Sequence, residues 1–387
     1  MELVVEQALA DFRRRFPGAT NCVVGWAPGR INLIGDHTDY NGGKAMPMAI
    51  DLGIGVIFTP RDDGMVHVYS MTLDAEVEFA QDAALEDVPP WARYVLGVLR
   101  LAREQGCGVE GCDMVINANL PLSGGLSSSA ALTTAICMAL RQAYAWTLPD
   151  IATAQLCQRV EHDYLGLQCG LMDQLACLLT RTNTAAYIDC ATLDTELVPF
   201  APELGIVIVD SGYERALHDS GYNQRRSECD QAVAALRKAG IALEYLGEVD
   251  VQTIRDAEAT MEALIYRRAL HVVTENLRTE QAREALIARE AQKLGELMLA
   301  SHDSLRDDYE VSVAQLDFIV ESAMQTSAAY GARVTGAGFG GNAIVLARVE
   351  DLDGVAEQVT ARFADRFGYQ PNTFKVGTTQ EARGYPV

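Results

Sequence analysis

The sequence predicts a two-domain α+β protein, on three observations. Its 387 residues exceed what a single core commonly holds, and a hydrophobic content of 49% is that of a folded chain. In the first half, the apolar run Met114, Val115, Ile116 leads through a glycine- and serine-rich loop into apolar residues at helical spacing. In the second half, helical periodicity dominates residues 223–327 and gives way to strand, glycine turn, strand, helix and strand over 333–376. Helices and strands gathered into separate runs are the α+β pattern. Pro199 and Pro202 mark the expected boundary, giving domains 1–200 and 201–387.

Taken in order, residues 1–16 set an apolar stripe among Glu2, Glu6 and Asp11 and end in Arg13, Arg14 and Arg15. That is an amphipathic helix and not a signal sequence. Residues 22–27 predict a strand that breaks at Pro28-Gly29. Residues 30–43 (Arg-Ile-Asn-Leu-Ile-Gly-Asp-His-Thr-Asp-Tyr-Asn-Gly-Gly) then carry more hydrogen-bonding types than a connector needs. Donors and acceptors so concentrated suit a polyhydroxylated ligand, because each hydroxyl both gives and accepts. A solvated turn with Asp and Asn caps would use the same composition. Strands follow at 51–59, 65–70 and 76–79, with Arg61-Asp62-Asp63-Gly64 as a hairpin turn in an antiparallel patch. Residues 91–105 form a helix with Trp91, Tyr94, Val95, Val98 and Leu99 on one side, a stripe that serves a core or borders a stacked base.

The chain is organised around residues 120–132, Leu-Pro-Leu-Ser-Gly-Gly-Leu-Ser-Ser-Ser-Ala-Ala-Leu. Gly124 and Gly125 let backbone N–H groups approach an anion with no Cβ in the way. After Leu126, the residues Ser127, Ser128 and Ser129 fall where a helix presents its unpaired N–H groups and positive dipole end. This geometry binds phosphate. An ordinary turn needs one serine cap, and two glycines with three serines exceed that need. No Gly-Lys-Ser/Thr follows, so the loop is not a Walker A, and no Gly-x-Ser-x-Gly elbow makes one of these serines a hydrolase nucleophile.

Residues 150–164 predict a helix carrying Glu161-His162, and Gly166 and Gly170 lead to Met172-Asp173-Gln174 at the start of another. Read singly, Asp173 would pass as a helix cap and Glu161 as a solvated residue. Strands are expected at 184–188 and 205–209. Gly336-Ala337-Gly338-Phe339-Gly340-Gly341 fits Gly-x-Gly-x-x-Gly to the letter. A dinucleotide fingerprint must open a helix, whereas residues 342–348 alternate as a strand, so this is a hairpin loop abutting the site.

Lys+Arg 31 against Asp+Glu 53 gives a formal charge of −22, which repels nucleic acid and anionic membranes. A phosphate site in such a field needs local cations: a helix terminus, a metal ion or a placed arginine. The nine cysteines show no Cys-x-x-Cys pair and no zinc-finger spacing, and no apolar run would span a bilayer. The expectation is a cytoplasmic protein with reduced thiols.

Three separated segments, 30–40, 121–131 and 335–341, resemble the GHMP family of small-molecule kinases, and within it the galactokinases. Trp91-Ala92-Arg93-Tyr94, Gly170-Leu171-Met172-Asp173-Gln174, Gly221-Tyr222-Asn223-Gln224-Arg225-Arg226 and Arg306-Asp307-Asp308 extend the likeness along nearly the whole chain. The resemblance implies a first domain like the second domain of ribosomal protein S5, a ferredoxin-like second domain and a site between them. It implies an ATP-dependent kinase forming galactose 1-phosphate from D-galactose at the C1 hydroxyl. Asp173 would be the general base and Arg30 a fixed positive charge; Asp36, His37, Asp39, Gly170 and Tyr222 would surround the sugar. Gly124, Gly125, Leu126, Ser127, Ser128 and Ser129 would hold the phosphates of ATP, Trp91 would border adenine, and Ser129 and Glu161 would hold Mg2+. A monomer is expected, with a dimer as the alternative.

Two departures fall beside the sugar segment. Asp36 stands where galactokinases commonly have glutamate, and Gly42-Gly43-Lys44-Ala45-Met46 replaces a more apolar run. The alternatives are kinases of N-acetylgalactosamine, galacturonate or arabinose, and a sugar sensor without turnover. The Ser129-Ala130 pair favours an enzyme, since a sensor of this type lacks it.

Overall fold

The computed structural model describes residues 1–121, 125–213 and 218–387. A six-stranded sheet runs in the order Arg383–Pro386, Val23–Asn32, Pro47–Arg61, Gly111–Ala118, Met65–Ser70, Ala75–Ala80. All neighbours are antiparallel except Gly111–Ala118 and Met65–Ser70. Val23–Asn32 is buried along its whole length, because both faces of the sheet are covered. Helix Glu2–Arg15 lays Val4, Val5, Ala8 and Phe12 on one face, against Trp26, Ile57 and Val115. Helix Ser128–Tyr144 covers the other, where a Cβ on Gly25 would sit 1.9 Å from the Ala135 carbonyl oxygen; only glycine permits that approach. Helices Arg93–Glu104 and Asp150–Leu165 pack beside it and complete the layer.

Two expectations about this sheet are corrected. The strand does not break at Pro28-Gly29: it continues to Asn32 through a register shift between Pro28 and Arg30. A bulge absorbs the proline that pure propensity would use as a terminator. Nor does Arg61-Asp62-Asp63-Gly64 close a hairpin between paired strands, because Gly111–Ala118 inserts between Pro47–Arg61 and Met65–Ser70 and pairs with both. Gly111 makes the insertion feasible: a Cβ there would lie 2.3 Å from the Met65 carbonyl oxygen.

The second sheet has the order Ala329–Val334, Asn342–Arg348, Leu204–Asp210, Asn372–Val376, antiparallel throughout. Residues from helices Ala263–Ile287, Ala314–Met324 and Leu352–Phe367 build a second core with its apolar strands. A three-stranded sheet, Lys44–Ala45, Thr184–Asp189, Thr195–Pro199, meets helix Ala263–Ile287. Among the described residues no helix is long and apolar enough to cross a membrane.

Where the strand before the glycine loop meets the sugar segment, the contacts across the seam between the halves are polar. Thr335 Oγ1 accepts from the Asn32 backbone N–H at 3.0 Å, and Arg333 donates to the Asn32 carbonyl at 3.0 Å. The bulged strand that begins the sugar segment is thereby fixed to the strand that ends in the glycine loop.

Candidate active site

A cavity of about 680 Å3 opens at this seam. Arg30, Asp36, His37 and Asp39 line it from one side, and Gly125, Ser127, Ser128 and Ser129 from the glycine- and serine-rich loop. Glu161 and Asp173 contribute from the two helices beyond, Gly170 from the segment between them, and Asp210, Tyr222, Gly336 and Ala337 from the second half.

At its floor Asp173, in the first turn of helix Met172–Leu179, meets Arg30 from the bulged strand. The Arg30 Nε and NH2 atoms both lie 2.7 Å from Asp173 Oδ1, and Ser127 Oγ donates to Oδ2. Arg30 NH1 donates to the Gly125 carbonyl at 2.6 Å. Burial works against the guanidinium charge, but Asp173 and Asp36 outweigh it and hold Arg30 more firmly charged than a free arginine. A buried arginine bonded to both the carboxylate and the phosphate-type loop cannot swing away.

Ser127 adopts a left-handed conformation, φ 60°, and the helix starts at Ser128, so the residues of its first turn, whose N–H groups lie outside the helix's own hydrogen-bond ladder, include the cavity-lining Ser128 and Ser129. Ser129 Oγ and Gln174 Nε2 both donate to Glu161 Oε1, at 3.2 and 2.9 Å. Glu161 is 3% exposed, and burial together with the nearby Asp173 charge pushes its carboxyl up to about 7. Gln174 Oε1 beside it is buried without a hydrogen-bond partner. A buried carboxylate with a serine hydroxyl and an unsatisfied amide oxygen is a hard-oxygen set that fits a divalent cation such as Mg2+.

On the opposite wall Asp36 accepts from Asn32 Nδ2 at 2.9 Å and from Arg333 NH2 at 2.6 Å. Asp39 is partly exposed to the cavity, and burial and Asp173 push it up to about 7. Gly170 sits against it so closely that a Cβ would lie 1.9 Å from Asp39 Oδ2. His37 has φ 63° and packs between the rings of Tyr222 and Tyr309, at 5.5 and 4.8 Å. Burial drives its pKa down to about 3, so the ring is neutral.

Of the residues singled out from sequence, Arg30, Asp36, His37, Asp39, Gly125, Ser127, Ser128, Ser129, Glu161, Gly170, Asp173 and Tyr222 line this one cavity. Leu126 is buried, its carbonyl accepting from the Arg30 N–H at 3.1 Å. Gly124 lies outside the described residues. Trp91 packs against the first core, whereas Tyr94 reaches the cavity lining. Sequence reasoning missed Asp210, Cys169 and Tyr213 in the lining and Arg333 behind it. The available signals were polar residues at the end of an apolar strand, Asp210-Ser211-Gly212-Tyr213, and an arginine inside another.

Residues 93–181 match the GHMP kinases N terminal domain, residues 282–365 the GHMP kinases C terminal, and residues 10–60 the galactokinase galactose-binding signature. The fold is that of a GHMP kinase. The chain is 38% identical to the galactokinase of Chloroflexus aggregans, over 93% of this chain and 92% of that protein. It is also 38% identical to the galactokinase of Canis lupus familiaris, over 94% and 93%. The crystal structure of Lactococcus lactis galactokinase complexed with galactose superposes with a TM-score of 0.92 at 33% identity, covering 98% of this chain and 99% of that one. The mevalonate kinase of Methanococcus jannaschii, TM-score 0.64 at 17% identity over 94% and 100%, shares the fold. The chain belongs to the galactokinase family and is a kinase.

Proposed function

We propose that the enzyme transfers the γ-phosphoryl group of ATP to the C1 hydroxyl of D-galactose, giving galactose 1-phosphate and ADP. The observation that carries this reading is the junction at Asp173, whose carboxylate meets Arg30 with one oxygen and Ser127 of the glycine–serine loop with the other. The galactose-binding signature over residues 10–60 and the likeness to a galactokinase complexed with galactose support the choice of sugar.

A sugar hydroxyl is a poor nucleophile. Asp173 takes its proton as the bond to phosphorus forms, and Arg30, held against both Asp173 and Gly125, orients the attacking oxygen and offsets charge on the moving phosphoryl group. Gly125, Leu126, Ser127, Ser128 and Ser129 hold the phosphates at the helix N-terminus. Ser129 and Glu161 would hold Mg2+, which when bound neutralises phosphate charge. Asp36, His37, Asp39, Gly170 and Tyr222 surround the sugar, and Tyr94, with Trp91 just before it, borders the adenine. These cations answer the need set by a chain of net charge −22. The reading extends to a cytoplasmic enzyme, supported by nine free cysteines, and to a monomer with a dimer as the alternative.

The test is a screen of sugars with ATP and Mg2+, with the phosphorylated carbon identified by NMR. Galactose phosphorylated at C1 is the expected leading product; a larger kcat/KM for N-acetylgalactosamine, galacturonate or arabinose would overturn the substrate assignment.

A further inference from the structure

Both ring nitrogens of His37 are already engaged. Nε2 lies 3.2 Å from the Ala337 carbonyl oxygen and Nδ1 2.8 Å from the Tyr40 hydroxyl. A carbonyl oxygen only accepts, so Nε2 must carry a proton. Burial holds the ring neutral, leaving Nδ1 as an acceptor and Tyr40 as its donor. With its own proton committed, the Tyr40 oxygen accepts from Tyr309 O–H at 2.8 Å. Tyr309 oxygen in turn accepts from the Cys229 thiol at 3.2 Å, and the Cys229 sulfur from Asn41 Nδ2 at 3.6 Å. Each proton in this chain has one place to go.

The chain crosses the seam between the halves three times. Asn41, Tyr40 and His37 belong to one short segment of the first half, in and just before the 3-10 turn Asp39–Asn41; Cys229, Tyr309 and Ala337 come from three separate parts of the second. We propose that His37 is a latch that fastens the glycine loop to the sugar segment through Nε2–H and the Ala337 carbonyl, and that Tyr40 and Tyr309 are positioning residues that hold the ring through Nδ1 in the orientation this bond needs.

What the latch holds is the roof of the site. Ala337 follows Gly336, which lies so close to the Gly125 carbonyl that a Cβ would come within 2.7 Å. That carbonyl accepts from Arg30 NH1 at 2.6 Å. A glycine loop released from His37 therefore loosens the seat of Arg30 and the phosphate loop. This consequence rests on the proposed function; the tautomer does not.

The experiment uses the full chain with 15N-labelled histidine, read by long-range 1H–15N correlation at neutral pH without substrates. His37 is expected as the Nε2–H tautomer in the wild type and in Cys229→Ser, which keeps a donor in the chain. In Tyr40→Phe the Ala337 carbonyl still requires the Nε2 proton, so the tautomer should persist while the Nδ1 resonance shifts toward that of an acceptor without a donor. The substitution should also lower kcat/KM for ATP about tenfold, the usual scale for a buried group left unpaired. Tyr309→Phe should fall between Tyr40→Phe and wild type in both readouts. A wild-type His37 that is Nδ1–H or charged, an Nδ1 resonance unmoved by Tyr40→Phe, or a shifted resonance with unchanged kcat/KM overturns the latch. A wild type without galactose turnover but with His37 as Nε2–H would defeat the proposed function and leave the latch supported.

Discussion

Arg333 NH2 lies 2.6 Å from Asp36 Oδ2, a buried ion pair between residues 297 positions apart. It joins the strand leading into the glycine loop to the segment expected to hold the sugar. Burial pushes the Asp36 carboxyl up, and Arg333 draws it back only in part. The pair therefore matters most when it is broken: Arg333→Met leaves a buried carboxylate with Asn32 as its remaining donor and should cost about 3–5 kcal/mol of stability. Adding Asp36→Asn should recover part of that loss. Denaturant unfolding of the single and double variants measures both; a cost below about 1 kcal/mol for Arg333→Met would show that the pair does not hold the seam.

The same pair bears on the sugar. Where galactokinases commonly have glutamate, Asp36 is one methylene shorter, and both its oxygens already accept hydrogen bonds from the protein. A carboxylate retains lone pairs for one more hydroxyl, so galactose should exceed 6-deoxygalactose in kcat/KM by about tenfold, the lower end for an unpaired charged partner. Equal values would remove Asp36 from recognition of C6.

Glu275 gives the fold an acid-sensitive joint. It accepts from the Gly35 backbone N–H at 2.9 Å, from Arg278 Nε at 2.7 Å and from Ser301. Burial alone would raise its pKa; Arg278, Arg333 and His271 outweigh that and bring it from 4.5 to about 2. A folded-state pKa below the unfolded value means that Glu275 contributes stability above pH 4.5, lost as the pH falls toward about 2. Glu275→Gln should be less stable at neutral pH and lose less on acidification through that window. Parallel pH–stability curves for the two proteins would contradict this.

Much of this molecule was legible in its sequence where structure is local. Ser128–Tyr144, Met172–Leu179 and the strand–turn–strand of Ala329–Val334 and Asn342–Arg348 follow from periodicity and glycine placement. Partners distant in the chain were not legible. Nothing around residues 61–64 reveals that Gly111–Ala118 will insert beside them, and Arg383–Pro386 is too short to announce that it closes the first sheet against Val23–Trp26. The site divides likewise. Residue type and resemblance gathered Asp173, Arg30 and the serines, whereas the pairing of Arg333 with Asp36 depends on how the two halves dock.

Glu161→Gln keeps the shape of the side chain and removes its charge. The Mg2+ concentration for half-maximal activity should rise several-fold, the galactose KM moving far less, because a hard cation loses an anionic oxygen while the sugar wall is untouched. An unchanged Mg2+ titration would take Glu161 out of the metal site.

The central claim is that Asp173, seated between Arg30 and Ser127, is the base that takes the sugar proton. The direct test is kcat for Asp173→Asn with galactose, together with calorimetric galactose binding and the melting temperature. The account predicts a kcat lowered by about 10²–10⁴-fold with binding and melting nearly preserved. Turnover close to wild type would contradict it, and so would a collapsed melting temperature, which would mark Asp173 as a helix cap.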